Sequence, residues 1–277
     1  MSEVKKKEPD CKTDGADLCA WMRGRLEMDR ALFASWPAGD PRVTVLSYYF
    51  RDDDFDGENL GRIECAVLET WRHCGKIKCV IVTHRATPRL ELLAGTYAPF
   101  IEIQVEPSLV PDNIYSMSVD CNSRLHSRFA TDYLLIVQDD GFPLRPGLEH
   151  YFGKWDFIGA PYVRDKWYLQ TICKLLDMQV MNGGFSLRSR EICERASYWW
   201  GKVRNAADKR KFAEDIFYTQ TMPLKNRMCR KAMRFPTFAE AISFSYDALV
   251  AHEIRTLPFG FHRASSFASL TGKLINE

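Results

Sequence analysis

The amino-acid sequence predicts an α/β fold: an open, largely parallel sheet flanked by helices, followed by an irregular C-terminal half. Two observations carry this expectation. Short β-branched or aromatic runs alternate with helical spacings from Val43 to Val137, a rhythm that builds parallel sheets. The run Tyr133-Leu-Leu-Ile-Val137 is apolar throughout, as in a strand buried on both faces.

Taken in order, residues 1–40 are polar and charged, with a helix expected around Leu18–Trp36 before Pro37 and Pro41. They are read as an N-terminal extension, and 41–277 as one domain. It divides into a nucleotide-binding-like half, 41–141, and an irregular half, 142–277. Val43–Phe50 is a strand by its β-branched and aromatic content. Leu60, Ile63, Val67 and Trp71 fall on one helical face within Leu60–Cys74. Lys78–Thr83 and Phe100–Val105 read as strands, Glu91–Ala94 and Ile114–Phe129 as helices. Beyond Val137 one clear helix, Glu191–Trp200, stands among short apolar pieces and aromatic-rich loops.

Composition removes whole classes of function. The 277 residues are 46% hydrophobic and 27% charged, which fits a soluble globular chain rather than a disordered or fibrous one. A net charge of +2 lacks the basic excess of a dedicated nucleic-acid binder. No apolar run approaches the roughly 18 residues of a membrane span, and the lysine-rich start has no apolar segment behind it. The nine cysteines are odd in number and form no Cys-x-x-Cys pair, so they read as reduced, mostly buried thiols of a cytoplasmic protein. Cys65, His73, Cys74, Cys79 and His84 match no common zinc spacing.

Several short segments carry the chemistry, each with a plainer alternative beside it. Gln138-Asp139-Asp140-Gly141 places two carboxylates at the C-terminal end of a buried strand, where open α/β sheets seat their ligands. Adjacent carboxylates repel, and a hard divalent cation relieves that repulsion; the alternative is a solvated turn. Glu214-Asp215, opening an aromatic stretch, is either favourable charge at a helix N-terminus or a carboxylate base against apolar walls. In Asn182-Gly183-Gly184-Phe-Ser-Leu-Arg188-Ser-Arg190 the glycines permit a close backbone approach or a simple turn. Arg188 and Arg190 there meet a phosphate or lie on the surface. His262 ends an aromatic loop, Pro258-Phe-Gly-Phe-His262, as a ligand or as a structural histidine. Asp52–Gly57 imitates the start of a calcium loop, but position 12 from Asp52 is Ile63 rather than the required Glu. The basic segments Lys202–Lys211 and Lys225–Arg234 read as solvated faces or as a hold on an anionic ligand.

The order of these pieces, with Trp155-Asp-Phe-Ile-Gly-Ala-Pro161 between the first and the third, resembles the DUF5672 family over about Val43 to His262. That family is similar to GT-A-fold glycosyltransferases. The resemblance implies a GT-A-like sheet and a transferase that moves sugar from a nucleotide-sugar donor to a glycan or other hydroxyl acceptor. In it, Gln138-Asp139-Asp140 stands at the Asp-x-Asp motif. Asp140 is then the direct ligand of Mn²⁺ or Mg²⁺, and Gln138 and Asp139 contact ribose or sugar. His262 falls at a C-terminal metal-ligating position. Glu214-Asp215 resembles the acidic pair of inverting enzymes, with Asp215 as base, and Asn182-Gly183-Gly184 lines the sugar pocket. Arg188 is expected on the donor side. A cytoplasmic enzyme free to visit a membrane-bound glycan acceptor is implied. The rival expectations are a metal-dependent sugar-phosphate or glycoside hydrolase and a nucleotide- or glycan-binding module without turnover.

Overall fold

The computed structural model describes residues 11–50, 58–162, 180–203, 213–222, 233–247 and 256–270. Its centre is a six-stranded sheet of β1 (Val43–Tyr49), β2 (Cys79–Thr83), β3 (Ile101–Val105), β4 (Tyr133–Ile136), β5 (Phe157–Tyr162) and β6 (Val180–Ser189), in the order β3-β2-β1-β4-β6-β5. The first four run parallel, while β6 is antiparallel to both its neighbours. Every residue of β1 and β2 is buried, as a parallel strand covered on both faces requires. Alternate side chains feed two cores. Val45 and Tyr49 join a cluster with Trp71, Phe142, Phe185 and Phe261. Leu46 and Tyr48 join Met117, Leu134, Phe157 and Tyr218.

Among the described residues the helices of seven residues or more are α1 (Cys11–Leu32), α2 (Glu58–Cys74), α3 (Pro88–Thr96), α4 (Ile114–Arg124), α5 (Arg190–Lys202), α6 (Phe238–Phe244) and α7 (Ala264–Leu270). Their starts follow from sequence. Thr87 caps α3 by accepting from Leu90 N, with Pro88 next in line, and Asn113 caps α4 by accepting from Tyr115 N and Ser116 N. Thr237 and Glu240 close a reciprocal capping box on α6. The helix expected over Ile114–Phe129 stops at Arg124 and tightens into a 3₁₀ turn, Leu125–Ser127.

Two features differ from the sequence reading. The second half is not irregular at the sheet: β5 and β6 extend it, and Asn182-Gly183-Gly184 lies inside β6 rather than in a turn. Helix α1 packs on α2 and α7. Leu18 and Met22 enter the core, Arg25 Nε donates to Glu69 at 2.7 Å, and Arg30 Nε donates to Glu64 at 2.6 Å. The calcium-like loop Asp52–Gly57 lies outside the described residues, as does most of both basic segments.

Candidate functional site

The site forms where β1 and β4 end. Beyond β4 the chain makes a tight turn: Gly141 N donates to Gln138 O at 3.2 Å, and Gln138 N donates to Gly141 O at 3.1 Å. Asp139 and Asp140 occupy its two central positions. Their mutual repulsion is relieved by sending them to opposite partners. Asp139 Oδ2 lies 3.1 Å from Arg62 Nη2 on α2, and Asp140 Oδ1 lies 3.8 Å from His262 Nε2. A protein cation therefore compensates one carboxylate, and the other faces an imidazole.

His262 reaches this turn on a small two-stranded parallel sheet of β7 (Ser245–Asp247) and β8 (Gly260–His262), in which Asp247 stands opposite His262. Leu144 N donates to Phe259 O at 2.7 Å and Arg263 N to Asp140 O at 2.7 Å, so β8 is laced to the Asp139-Asp140 turn. Arg263 adopts φ 79°, a left-handed conformation uncommon for a non-glycine residue and often found at functional sites. On its far side His262 Nδ1 lies 3.6 Å from Asp247 Oδ2. Burial alone would lower the His262 pKa, but Asp140 first and Asp247 next outweigh it, and the pKa stands above the ordinary 6.5.

Gly184 explains why β6 carries paired glycines. A Cβ there would fall on His262 Nε2 and lie 2.7 Å from Gln138 Oε1. At Gly183 a Cβ would fall on the Glu214 carboxylate. The glycines let β6 pass directly beneath the Asp turn, and Asn182 Oδ1 accepts from Gly184 N at 2.9 Å to hold it there.

Arg188, expected to face a donor, is enclosed. Its side chain has no exposure, and its guanidinium lies between the rings of Phe157 and Tyr218 at 4.8 and 4.7 Å. It donates to Gly183 O at 3.3 Å and to Glu214 Oε1 at 3.1 Å. Burial would lower its pKa, yet Glu214 chiefly raises it, so the guanidinium stays charged. Glu214 is thereby tied into the interior, 6% exposed. Asp215 opens the same helical turn, Glu214–Ile216, half-buried, with its Oδ1 accepting from Ile216 N at 2.7 Å. Asp156, from the Trp155–Pro161 motif, is structural here: it accepts from Arg234 N at 2.7 Å.

A cavity of about 220 Å³ adjoins the turn. It is lined by Tyr48 and Tyr49 at the end of β1 and Phe50 after it, by Ile114 and Met117 of α4, and by Asp112, Gln138 and Asp139. Among the described residues no group of three or more His, Cys, Asp and Glu side chains is arranged to hold a metal ion. Asp140 and His262 nevertheless fit a metal completed by substrate. A hard cation such as Mg²⁺ is commonly held by one or two protein ligands, with phosphates and water filling the rest. Arg62 and Asp247 were not singled out from sequence. Asp247 follows an ordinary Ser-Phe-Ser-Tyr run and Arg62 lies on an amphipathic helix, so neither offers a local motif.

The DUF5672 model, described as a protein of unknown function, matches residues 108–262. The chain belongs to the DUF5672 family. The matched part of this DUF5672 protein contains Gln138 through Asp140, the Asn-Gly-Gly segment of β6, Glu214-Asp215, Asp247 and His262. No curated protein matches it in sequence. In structure it is similar to mouse xyloside xylosyltransferase 1, with a TM-score of 0.50 at 11% identity, over 80% of this chain and 98% of that one. It is also similar to core-mannan synthase A from Aspergillus fumigatus in its Mn/GDP form, with a TM-score of 0.43 at 8% identity, over 65% and 67%. The mannosyltransferase Ktr4p from S. cerevisiae in complex with GDP gives a TM-score of 0.42 at 9% identity, over 72% and 73%. The fold of the DUF5672 chain is that of GT-A-type glycosyltransferases. No described helix is long and apolar enough to cross a membrane.

Proposed function

We propose that this DUF5672 protein is a glycosyltransferase that moves a sugar from a nucleoside diphosphate donor to a glycan or other hydroxyl acceptor, with a divalent metal and with inversion. One observation carries the reading: Asp140 and His262, 122 positions apart in sequence, meet at 3.8 Å beside a cavity at the carboxyl ends of β1 and β4. Ligands of open α/β sheets bind at such ends, and the fold supports the same assignment.

Each residue of the site has a role in this reading. The cavity between Tyr49, Ile114 and Met117 takes the nucleoside, with Gln138 and Asp139 on its ribose or sugar. Asp140 and His262 would hold Mn²⁺ or Mg²⁺. That metal, when bound, supplies Lewis-acid stabilisation of the leaving diphosphate, worth several kcal/mol. Gly183 and Gly184 leave room for Glu214 and His262 against the β6 backbone, and with Asn182 they form the sugar side of the pocket in this reading. Asp215 takes the proton from the acceptor hydroxyl as its oxygen attacks the anomeric carbon, a contribution of about 10²–10⁴ in rate. Glu214, held by Arg188, is a buried brace for the turn that carries Asp215.

The test is release of nucleoside diphosphate from a panel of nucleotide sugars. Release that requires both an acceptor and a metal, and is abolished by EDTA, supports the reading. Release that proceeds equally without any acceptor would make the protein a hydrolase, and binding without release would make it a non-catalytic module.

A further inference from the structure

His262 has a carboxylate at each ring nitrogen, and the two do different things. Asp140 faces Nε2 at 3.8 Å from a turn whose Asp140 side chain is 29% exposed, whereas Asp247 faces Nδ1 at 3.6 Å with no exposure of its own side chain. Asp247 Oδ2 is held from two other directions: Arg263 Nε donates to it at 3.0 Å and Asn182 Nδ2 at 3.3 Å. Nδ1 is a buried atom with no hydrogen-bond partner within 3.5 Å among the described residues, and the Asp247 oxygen lies just beyond that reach. A buried ring nitrogen facing a buried, fixed carboxylate has one economical proton arrangement: the proton sits on Nδ1 and the Nε2 lone pair is left bare.

We propose that Asp247 is the positioning residue of the metal-side histidine, fixing the proton on His262 Nδ1 so that Nε2 presents its lone pair toward Asp140, with Asn182 and Arg263 holding Asp247 in place. Ligating histidines are commonly oriented in this way by an outer carboxylate, and loss of that partner typically lowers metal affinity by about 10–100-fold. The placement also gives Asn182 a second task. It reaches Asp247 through Nδ2 and Gly184 N through Oδ1, so the β6 strand and the imidazole are set by one side chain. This inference rests on the metal assignment of the proposed function and extends it to a residue that touches neither metal nor substrate.

The experiment uses the full chain and two readouts. The ¹⁵N and ¹³C ring shifts of His262, recorded in metal-free protein above its pKa, report the tautomer. Mn²⁺ titration followed by EPR, alone and with UDP or GDP, reports affinity. The wild type is expected to carry the Nδ1–H tautomer. In Asp247→Asn the amide donates to Nδ1 and forces the proton onto Nε2, as an Asp-to-Asn change behind a catalytic histidine does, and Mn²⁺ binding falls about 10–100-fold. Asp247→Glu restores the Nδ1–H signature. An Nε2–H tautomer in the wild type overturns the proposal, whether or not the variants fold. Unchanged Mn²⁺ affinity in a folded Asp247→Asn, with the wild type and not His262→Ala binding Mn²⁺, overturns it while leaving the metal site intact. A wild type that binds no Mn²⁺ with either nucleotide overturns the metal assignment itself and this inference with it.

Discussion

The Arg188 guanidinium lies 3.1 Å from Glu214, wholly enclosed, and fastens the helical turn of the acidic pair to the β6 strand beneath the Asp139-Asp140 turn. Removing one partner of a buried pair leaves the other charge uncompensated, which costs about 3–5 kcal/mol. Arg188→Ala is therefore expected to lower unfolding free energy in urea by that amount. A loss below about 1 kcal/mol, the range of an exposed pair, would contradict the enclosed geometry.

Gly184 is a second point of close approach. In Gly184→Ala the new methyl meets His262 and Gln138, so the imidazole must swing away from Asp140. The expected result is a folded protein in which nucleoside diphosphate and Mn²⁺ no longer raise Tm. A ligand at 100 times its Kd adds about 2.7 kcal/mol of stability, so the loss is easily read by thermal shift. Gly201, where a Cβ meets nothing within 4 Å, serves as the control: Gly201→Ala should keep the full ligand shift.

Asp215→Asn separates binding from chemistry. If Asp215 is the base, kcat falls by about 10²–10⁴ while donor affinity stays near that of the wild type, because the residue does not hold the diphosphate. Single-turnover kinetics with saturating acceptor checks this, and near-normal turnover would remove Asp215 from the mechanism.

The pH dependence has two opposite slopes from one group. Because the His262 pKa is raised in the folded state above 6.5, protonation of the ring favours folding. That contribution is complete below the unfolded pKa and is lost as pH rises through the folded one. Metal, by contrast, needs the neutral ring. Over the window that begins at pH 6.5, the metal-free protein should lose Tm, while the increment added by Mn²⁺ and nucleoside diphosphate should grow. Both slopes should flatten in His262→Ala, measured by calorimetry between pH 6 and pH 9.

Deleting residues 1–40 tests whether the N-terminal segment is an appendage. It would strip α1 from the core face that receives Leu18 and Met22 and leave Glu69 and Glu64 without Arg25 and Arg30. The expected outcome is a markedly less stable chain, by about 3 kcal/mol or more. An unchanged Tm would restore the reading of an independent extension.

Much of the parallel half was legible because its strands are short apolar runs buried on both faces, as in Tyr133–Ile136 and Cys79–Thr83. Strand β6 escaped that logic. Its interior carries Ser186 and Arg188, which are buried and donate to Gly183 O and Glu214, so it is not the continuous apolar run that marks the other buried strands. Helix α1 was under-read for a related reason, since arginine–glutamate pairs as well as apolar contacts dock it. Asp140 and His262, which the family resemblance alone had linked through a shared metal, lie 3.8 Å apart. The partner of Asp139 was not foreseen, because Arg62 comes from a helix with no motif of its own. Arg188, expected on the donor side, lies enclosed against Glu214, a burial that a linear motif does not encode.

The central claim is that Asp140 and His262 form a metal-dependent nucleoside diphosphate site. Its most direct test is isothermal titration of UDP, GDP, CDP and dTDP into wild type, Asp140→Ala and His262→Ala, each with Mn²⁺ and with EDTA. The account predicts that one nucleotide binds the wild type with Mn²⁺ and is lost or sharply weakened by EDTA and by either substitution. Equal affinity in EDTA, or in both variants, would contradict it.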